Sequence, residues 1–179
     1  MIIEQNVTMI VSTCRLEESG KTKCNQFWPE DGQVAKYNIT QDERAKEEIL
    51  VTISKFQRQR YLGKREMVAQ LPNGDLRKVT NIFFKGWPDH GVPDGDAVKD
   101  FGSMLKQFSE WVLKSGDDEK AIVHCSAGIG RTGTTISLME LMINISAQRN
   151  MGVANPKFSI FDTVRRVREQ RYGAVQTIS

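Results

Sequence analysis

The run Ala121-Ile122-Val123-His124-Cys125-Ser126-Ala127-Gly128-Ile129-Gly130-Arg131-Thr132-Gly133 constrains this chain more than any other stretch. A short apolar strand feeds a tight loop bearing glycines, and a helix leads out from near Arg131. A strand running through such a turn into a helix belongs to a layered α/β fold, with the turn at the strand's carboxyl end. The loop's N–H groups converge, and the helix adds the positive end of its dipole, so the turn forms a cup for an anion. Cys125 sits in that cup, where the same field favours a thiolate. Arg131 closes it with a planar fork able to hold two oxygens of one phosphate. A nucleophile beneath a phosphate cradle is suited to phosphoryl transfer through a covalent intermediate.

Other loops share part of this pattern. Gly128, Gly130 and Gly133 also satisfy the G-x-G-x-x-G fingerprint of dinucleotide sites. That fingerprint needs an acid ending a second strand roughly 20 residues further on. The corresponding stretch, Arg149 to Pro156, is turn-rich and has no acid. A Walker loop is excluded because no Gly-Lys-Ser/Thr follows the glycines.

Hydrophobic periodicity supplies the remaining elements. Val7–Thr13, Val34–Ile39 and Ile49–Phe56 read as strands. Arg65–Leu71 and Lys78–Lys85, joined by Pro72-Asn73-Gly74-Asp75, read as a hairpin. A helix capped by Asp94 or Asp96 would bury Phe101, Leu105, Phe108 and Val112, and end at Ser115–Asp118. Ala121–His124 is a strand, and Thr132 to about Gln148 is a helix. Phe158 to about Gln170 is another, with Ile160, Phe161, Val164 and Val167 expected on its inner face. The fold class is α/β: a mixed, highly twisted sheet flanked by helices. At 179 residues the chain fits one domain.

Composition narrows the function. A net charge of +3, without a basic tail or aromatic-basic interleaving, gives no support for a nucleic-acid partner. No stretch approaches 18 apolar residues, and the amino-terminal segment lacks the features of a signal peptide. The odd set Cys14, Cys24 and Cys125 argues against a disulfide framework and for a reducing, cytoplasmic setting. No metal-ligand spacing is present, and no cofactor is expected.

The ten residues His124–Gly133 resemble the signature of the tyrosine-specific, cysteine-dependent protein tyrosine phosphatases. Three further islands match in family order. Trp87-Pro88-Asp89-His90-Gly91-Val92-Pro93 is similar to the family's mobile acid loop. Glu18-Ser19-Gly20-Lys21-Thr22-Lys23-Cys24, followed by Phe27-Trp28-Pro29, resembles its Glu-x-Gly-x-x-Lys-Cys-x-x-Tyr-Trp-Pro segment. Val164, Arg168, Gln170, Arg171, Gly173 and Val175-Gln176-Thr177 resemble its last helix and glutamine loop.

The resemblance implies hydrolysis of phosphotyrosine in proteins, with phosphotyrosine-containing proteins as partners. Cys125 would be the nucleophile, and Ser126, Ala127, Gly128, Ile129, Gly130 and Arg131 the phosphate cradle. Asp89 would be the general acid on a loop begun by Trp87. Gln176 would position water, Thr132 would give its hydroxyl to the departing sulfur, and His124 would help hold the thiolate. Glu18 and Arg168 would orient Arg131 and the loop. Residues 1–179 would then be a partial catalytic domain. The family's Lys-Asn-Arg-Tyr segment and other amino-terminal stretches are not found, and its final helix is missing. Such a piece would expose apolar surface. A catalytically weak or inactive phosphotyrosine-binding fragment is the alternative.

Overall fold

A computed structural model describes residues 1–39, 47–88 and 91–176. Its elements in chain order are β1 (Val7–Ser12), β2 (Glu17–Glu18), β3 (Lys21–Thr22), β4 (Val34–Asn38), β5 (Glu48–Arg58), β6 (Leu62–Gln70), β7 (Leu76–Phe84), α1 (Gly95–Val112), β8 (Lys120–His124), α2 (Gly130–Asn150) and α3 (Ile160–Gln170). Six strands form one sheet in the order β4-β5-β6-β7-β1-β8, and β2 and β3 form a small hairpin. β4 to β7 is an antiparallel meander, whereas β1 runs parallel to both β7 and β8. The fold is therefore α/β with a mixed sheet, as its strand-turn-helix centre requires.

Alternation along the strands sorts two cores onto the two faces. Met9, Val11, Ile82 and Phe84 point to one face, where Phe101, Met104, Leu105 and Phe108 of α1 and Met139 of α2 meet them. The spacing of those α1 residues lays an apolar stripe along one side of the helix. Val7, Ile10, Met67 and Val79 point to the other face, which no helix covers among the described residues. The segment after β3 packs there through Phe27 and Trp28. Beside them lies an open apolar groove of about 660 Å³, bordered by Ile2, Tyr37, Ile49 and Val51.

Several expectations change in detail. Asp94 occupies the cap position of α1 but its side chain makes no capping bond. Asp96 sits in the first turn and pairs with Arg60 and Lys99 instead. β5 and β6 run longer than the hydrophobic pattern indicated, because cross-strand pairing continues into the polar residues Gln57, Arg58 and Lys64. The inner face of α3 is narrower than expected. Thr163 and Val167 are buried and Val164 partly so, but Ile160 and Phe161 are 63% and 76% exposed. Their spacing matches the buried residues, yet the first turn of α3 reaches beyond the surface that covers the rest. Cys14 and Cys24 are half-buried free thiols.

Candidate active site

β8 delivers His124 and Cys125 to the carboxyl end of the parallel strands, and the chain turns at once into α2. The turn is possible because Gly128 adopts φ +69°, a left-handed conformation unfavourable for other residues. Ile129 occupies the cap position of α2 and offers no side-chain acceptor. The first amides of the helix therefore remain available to a group in the cup.

Cys125 is buried, and its sulfur is one such group. Burial pushes its pKa up, but the Thr132 hydroxyl and the amides of Thr132, Gly128 and Ile129 pull it further down, to a net value below the ordinary 9.0. Thr132 Oγ1 is itself buried, away from solvent. Cys14 shows the contrast. Burial dominates there, with Cys24, Cys125 and Glu18 adding to it and Arg131 opposing, and the thiol is pushed up to about 12. The Thr132 hydroxyl and the amide cradle make Cys125 the acidic thiol of the two.

Arg131 is held by a two-pronged ion pair. Its Nη1 and Nη2 donate to Glu18 Oε1 and Oε2 at 2.7 and 2.6 Å, and Nη1 also reaches the Thr13 carbonyl at 3.3 Å. Both side chains are largely buried. Glu18 is placed by the β2–β3 hairpin, whose turn uses Ser19 and Gly20 at positive φ. Its Oε1 also accepts from the Arg15 amide. The fork is thus fixed in direction before any ligand arrives.

The carboxyl-terminal loop packs directly on the cup. The Val175 amide donates to the Ile129 carbonyl at 3.1 Å. A methyl group at Gly130 would lie 2.8 Å from Gln176 Oε1, and one at Gly133 would strike the Val175 amide. Glycine at both positions permits this approach. Arg168 does not touch Arg131. It donates to the Ala174 and Val175 carbonyls at 2.8 and 2.7 Å, and so orders the segment that carries Gln176. Arg171 bonds the cup itself: its Nε donates to the Gly128 carbonyl at 2.7 Å. Arg171 belonged to the matching island, but its contact with the cup was not legible from spacing.

His124 spans the rear of the cup. Its Nδ1 faces the Cys125 carbonyl at 3.1 Å, and its Nε2 meets Ser12 Oγ at 2.7 Å. Trp87 is buried edge-on against Phe101, and its indole N–H donates to the Gly91 carbonyl at 3.0 Å. Asp89 and His90 lie outside the described residues, as does Thr177. Ser126 and Ala127 are exposed at the mouth, where the Ala127 carbonyl comes within 3.5 Å of Arg171 Nη2.

Comparison with known proteins agrees with this arrangement. The family model described as protein-tyrosine phosphatase matches residues 1–179. The chain is 32% identical over 179 residues to tyrosine-protein phosphatase non-receptor type 4 of Mus musculus, covering 100% of the chain and 17% of that protein. It is 33% identical over 178 residues to receptor-type tyrosine-protein phosphatase S of Gallus gallus and to receptor-type tyrosine-protein phosphatase F of Bos taurus. Each match covers 99% of the chain, but only 10% and 8% of those relatives. These relatives include both non-receptor and receptor types, and no described helix here is long and apolar enough to cross a membrane. A cysteine held by amides, an arginine fork locked by a glutamate, and a match along the whole chain make one statement: this chain belongs to the protein-tyrosine phosphatase family.

Proposed function

We propose that residues 1–179 act as a catalytic domain that hydrolyses phosphotyrosine in proteins through a cysteinyl-phosphate intermediate. One observation carries this reading: the buried Cys125 sits in a loop whose Arg131 fork is locked by Glu18 at 2.7 and 2.6 Å, with the Thr132 hydroxyl and the loop amides lowering the thiol's pKa. Those amides and the Arg131 fork suit the equatorial oxygens of a phosphoryl group, whose charge the site would stabilise during transfer.

In the first step the Cys125 sulfur attacks phosphorus and the bond to the tyrosyl oxygen breaks. Asp89 gives its proton to that oxygen. In the second step water attacks phosphorus, Asp89 takes up a water proton, and the sulfur departs as thiolate. The Thr132 hydroxyl, first among the influences that lower the Cys125 pKa, would favour that departure. Gln176, whose Oε1 lies beside Gly130, would orient the attacking water. Trp87 and Gly91, hydrogen-bonded to each other, flank Asp89 in sequence, and the resemblance to the family's acid loop would have this segment close over substrate.

Release of p-nitrophenol from its phosphate ester by the purified chain, with Cys125→Ser as control, tests the reading. Wild-type turnover that the control abolishes is expected. Turnover that persists in the control, or folded wild-type chain that binds phosphotyrosine without hydrolysing it, would overturn the enzymatic reading. Asp89→Ala should lower kcat by about 10²–10⁴-fold with little change in substrate binding. Parallel loss of binding would count against the acid role.

A further inference from the structure

The face of the sheet without helices carries a row of polar side chains across four adjacent strands. Arg65 on β6 stands opposite Asn81 on β7, Asn81 is in register with Ile10 on β1, and Ser12 on β1 is in register with His124 on β8. The polar row lies next to the apolar row of Met67, Val79, Ile10 and Ile122 on the same face. Asn81 is fully buried and Ser12 nearly so. Buried polar groups in the middle of a sheet cost stability unless they are paired, so their presence here calls for a reason.

The bonds between them run in one direction. Arg65 can only donate, and its Nη1 lies 3.1 Å from Asn81 Oδ1. The Ile10 carbonyl can only accept, and it lies 3.2 Å from Asn81 Nδ2. These two partners fix which end of the amide is which. Asn81 Nδ2 then donates to Ser12 Oγ at 3.0 Å, which leaves the single Ser12 proton for His124 Nε2 at 2.7 Å. At the far end the Cys125 carbonyl can only accept, so His124 Nδ1 must carry a proton. Every link agrees with its neighbours. Arg65 is immobilised at the start, with its guanidinium carbon 4.0 Å from the Trp28 ring centre and 3.9 Å from that of Phe83.

We propose that Arg65, Asn81 and Ser12 are positioning residues. Their one-way relay locks His124 in its Nδ1-protonated tautomer, and so holds the Cys125 carbonyl turned away from the cup. A carbonyl pointed outward keeps the following amides pointed inward, toward the anion. The functional half of the inference rests on the phosphate reading of the loop. Its tautomer half stands on the geometry alone.

The chain has two histidines, so long-range ¹H–¹⁵N NMR at neutral pH, with His90→Ala to assign the signals, reads the His124 tautomer directly. The wild type should show one Nδ1-protonated form. Ser12→Ala should broaden or split that signal, weaken binding of orthovanadate, and lower kcat for p-nitrophenyl phosphate about tenfold, the scale of one lost buried hydrogen bond. Ser12→Thr restores the hydroxyl and should restore the tautomer. Asn81→Asp keeps the shape but presents an acceptor to Ser12. It should draw the Ser12 proton away and move the His124 proton to Nε2. If Asn81→Asp does not fold, the two Ser12 variants decide the matter. An unchanged tautomer in Ser12→Ala overturns the relay. An altered tautomer with unchanged orthovanadate affinity overturns its role in the site. A wild-type chain that hydrolyses no aryl phosphate sinks the phosphatase reading alone, since the tautomer and orthovanadate readouts still decide the relay.

Discussion

The parallel centre of the sheet and its antiparallel wing are built from similar residues but differ in burial. In β1 every residue but Thr8 is buried, and β1 lies between β7 and β8 with apolar packing on both faces. In β4, at the outer edge of the wing, no residue is buried and only Ala35 is partly so. Val34, Tyr37 and Ile39 leave large apolar areas open. Cys125, Thr13 and Cys14 follow directly from the ends of the parallel strands, and Glu18 comes two turns of chain later. Among the described residues, the outer strands β4 to β6 contribute to the site through Arg65, the donor end of the histidine relay. Rigid strands covered on both faces hold a loop to tight tolerances, and strands covered on one face need not.

The sharpest way to break that contrast is at the ion pair. Glu18→Gln keeps the shape of the side chain but removes the charge that Arg131 pairs with there. The expected cost is about 10²-fold in kcat/KM for p-nitrophenyl phosphate, with lowered stability. Activity within a factor of two of wild type would mean that the fork is not held by Glu18. A second test lies within the centre itself, between two thiols at the ends of neighbouring strands. At pH 7.5 iodoacetamide should modify Cys125 at least about thirtyfold faster than Cys14, after allowing for the weaker intrinsic nucleophilicity of the more acidic thiolate. As pH falls, the Cys125 rate should decline at a lower pH than the rate of an ordinary thiol does. The linkage has the same sign. Folding favours the Cys125 thiolate, so its contribution to stability is complete above 9.0 and is lost as pH falls through the lowered value. Equal rates for the two thiols would remove the case for a special field at Cys125.

The site was more legible in the sequence than the sheet around it, for a physical reason. Gly128, Gly130 and Gly133 are required by a left-handed turn or by close approach of backbone and side chain, so chemistry and sterics leave their mark on the same residues. Strand and helix positions followed from periodicity, because a face covered by α1 demands Met9, Val11, Ile82 and Phe84 in alternation. What periodicity does not encode is which partner lies across the sheet. Ser12 reads as the end of an apolar strand and Asn81 as a polar interruption, and neither suggests the other until register brings them together. The exposure of Ile160 and Phe161 was hidden for the same reason: their spacing is that of a buried stripe, and only the tertiary arrangement decides how much of a stripe is covered. Arg168 and Arg171 lie three residues apart, and spacing alone did not divide their tasks between the glutamine loop and the cup.

Stability measurements sharpen the comparison further. Val11 is fully buried on the helix-covered face of the centre, and Val34 is 53% exposed in the wing. Val11→Ala should cost roughly 2–3 kcal/mol in urea denaturation, from lost burial and the space left behind. Val34→Ala should fall within about 0.5 kcal/mol of wild type. Comparable losses would show that the wing is as tightly packed as the centre.

The smallest effect has the opposite sign. Thr135 lies in α2, fully buried, and its hydroxyl has no hydrogen-bond partner. It is one turn of helix beyond Arg131, on an element that the ion pair and the cup already hold in place. An unpaired buried hydroxyl costs free energy that a methyl group of the same shape does not. Thr135→Val should therefore stabilise the chain by about 1 kcal/mol, raising Tm by roughly 2–4 °C. Turnover of p-nitrophenyl phosphate should stay unchanged, because the residue is not among the groups that acidify the sulfur, and Glu18 and Thr13 hold the fork. A fall in Tm would show that the hydroxyl does find a partner in solution, and that even the buried centre keeps a polar contact that packing alone does not explain.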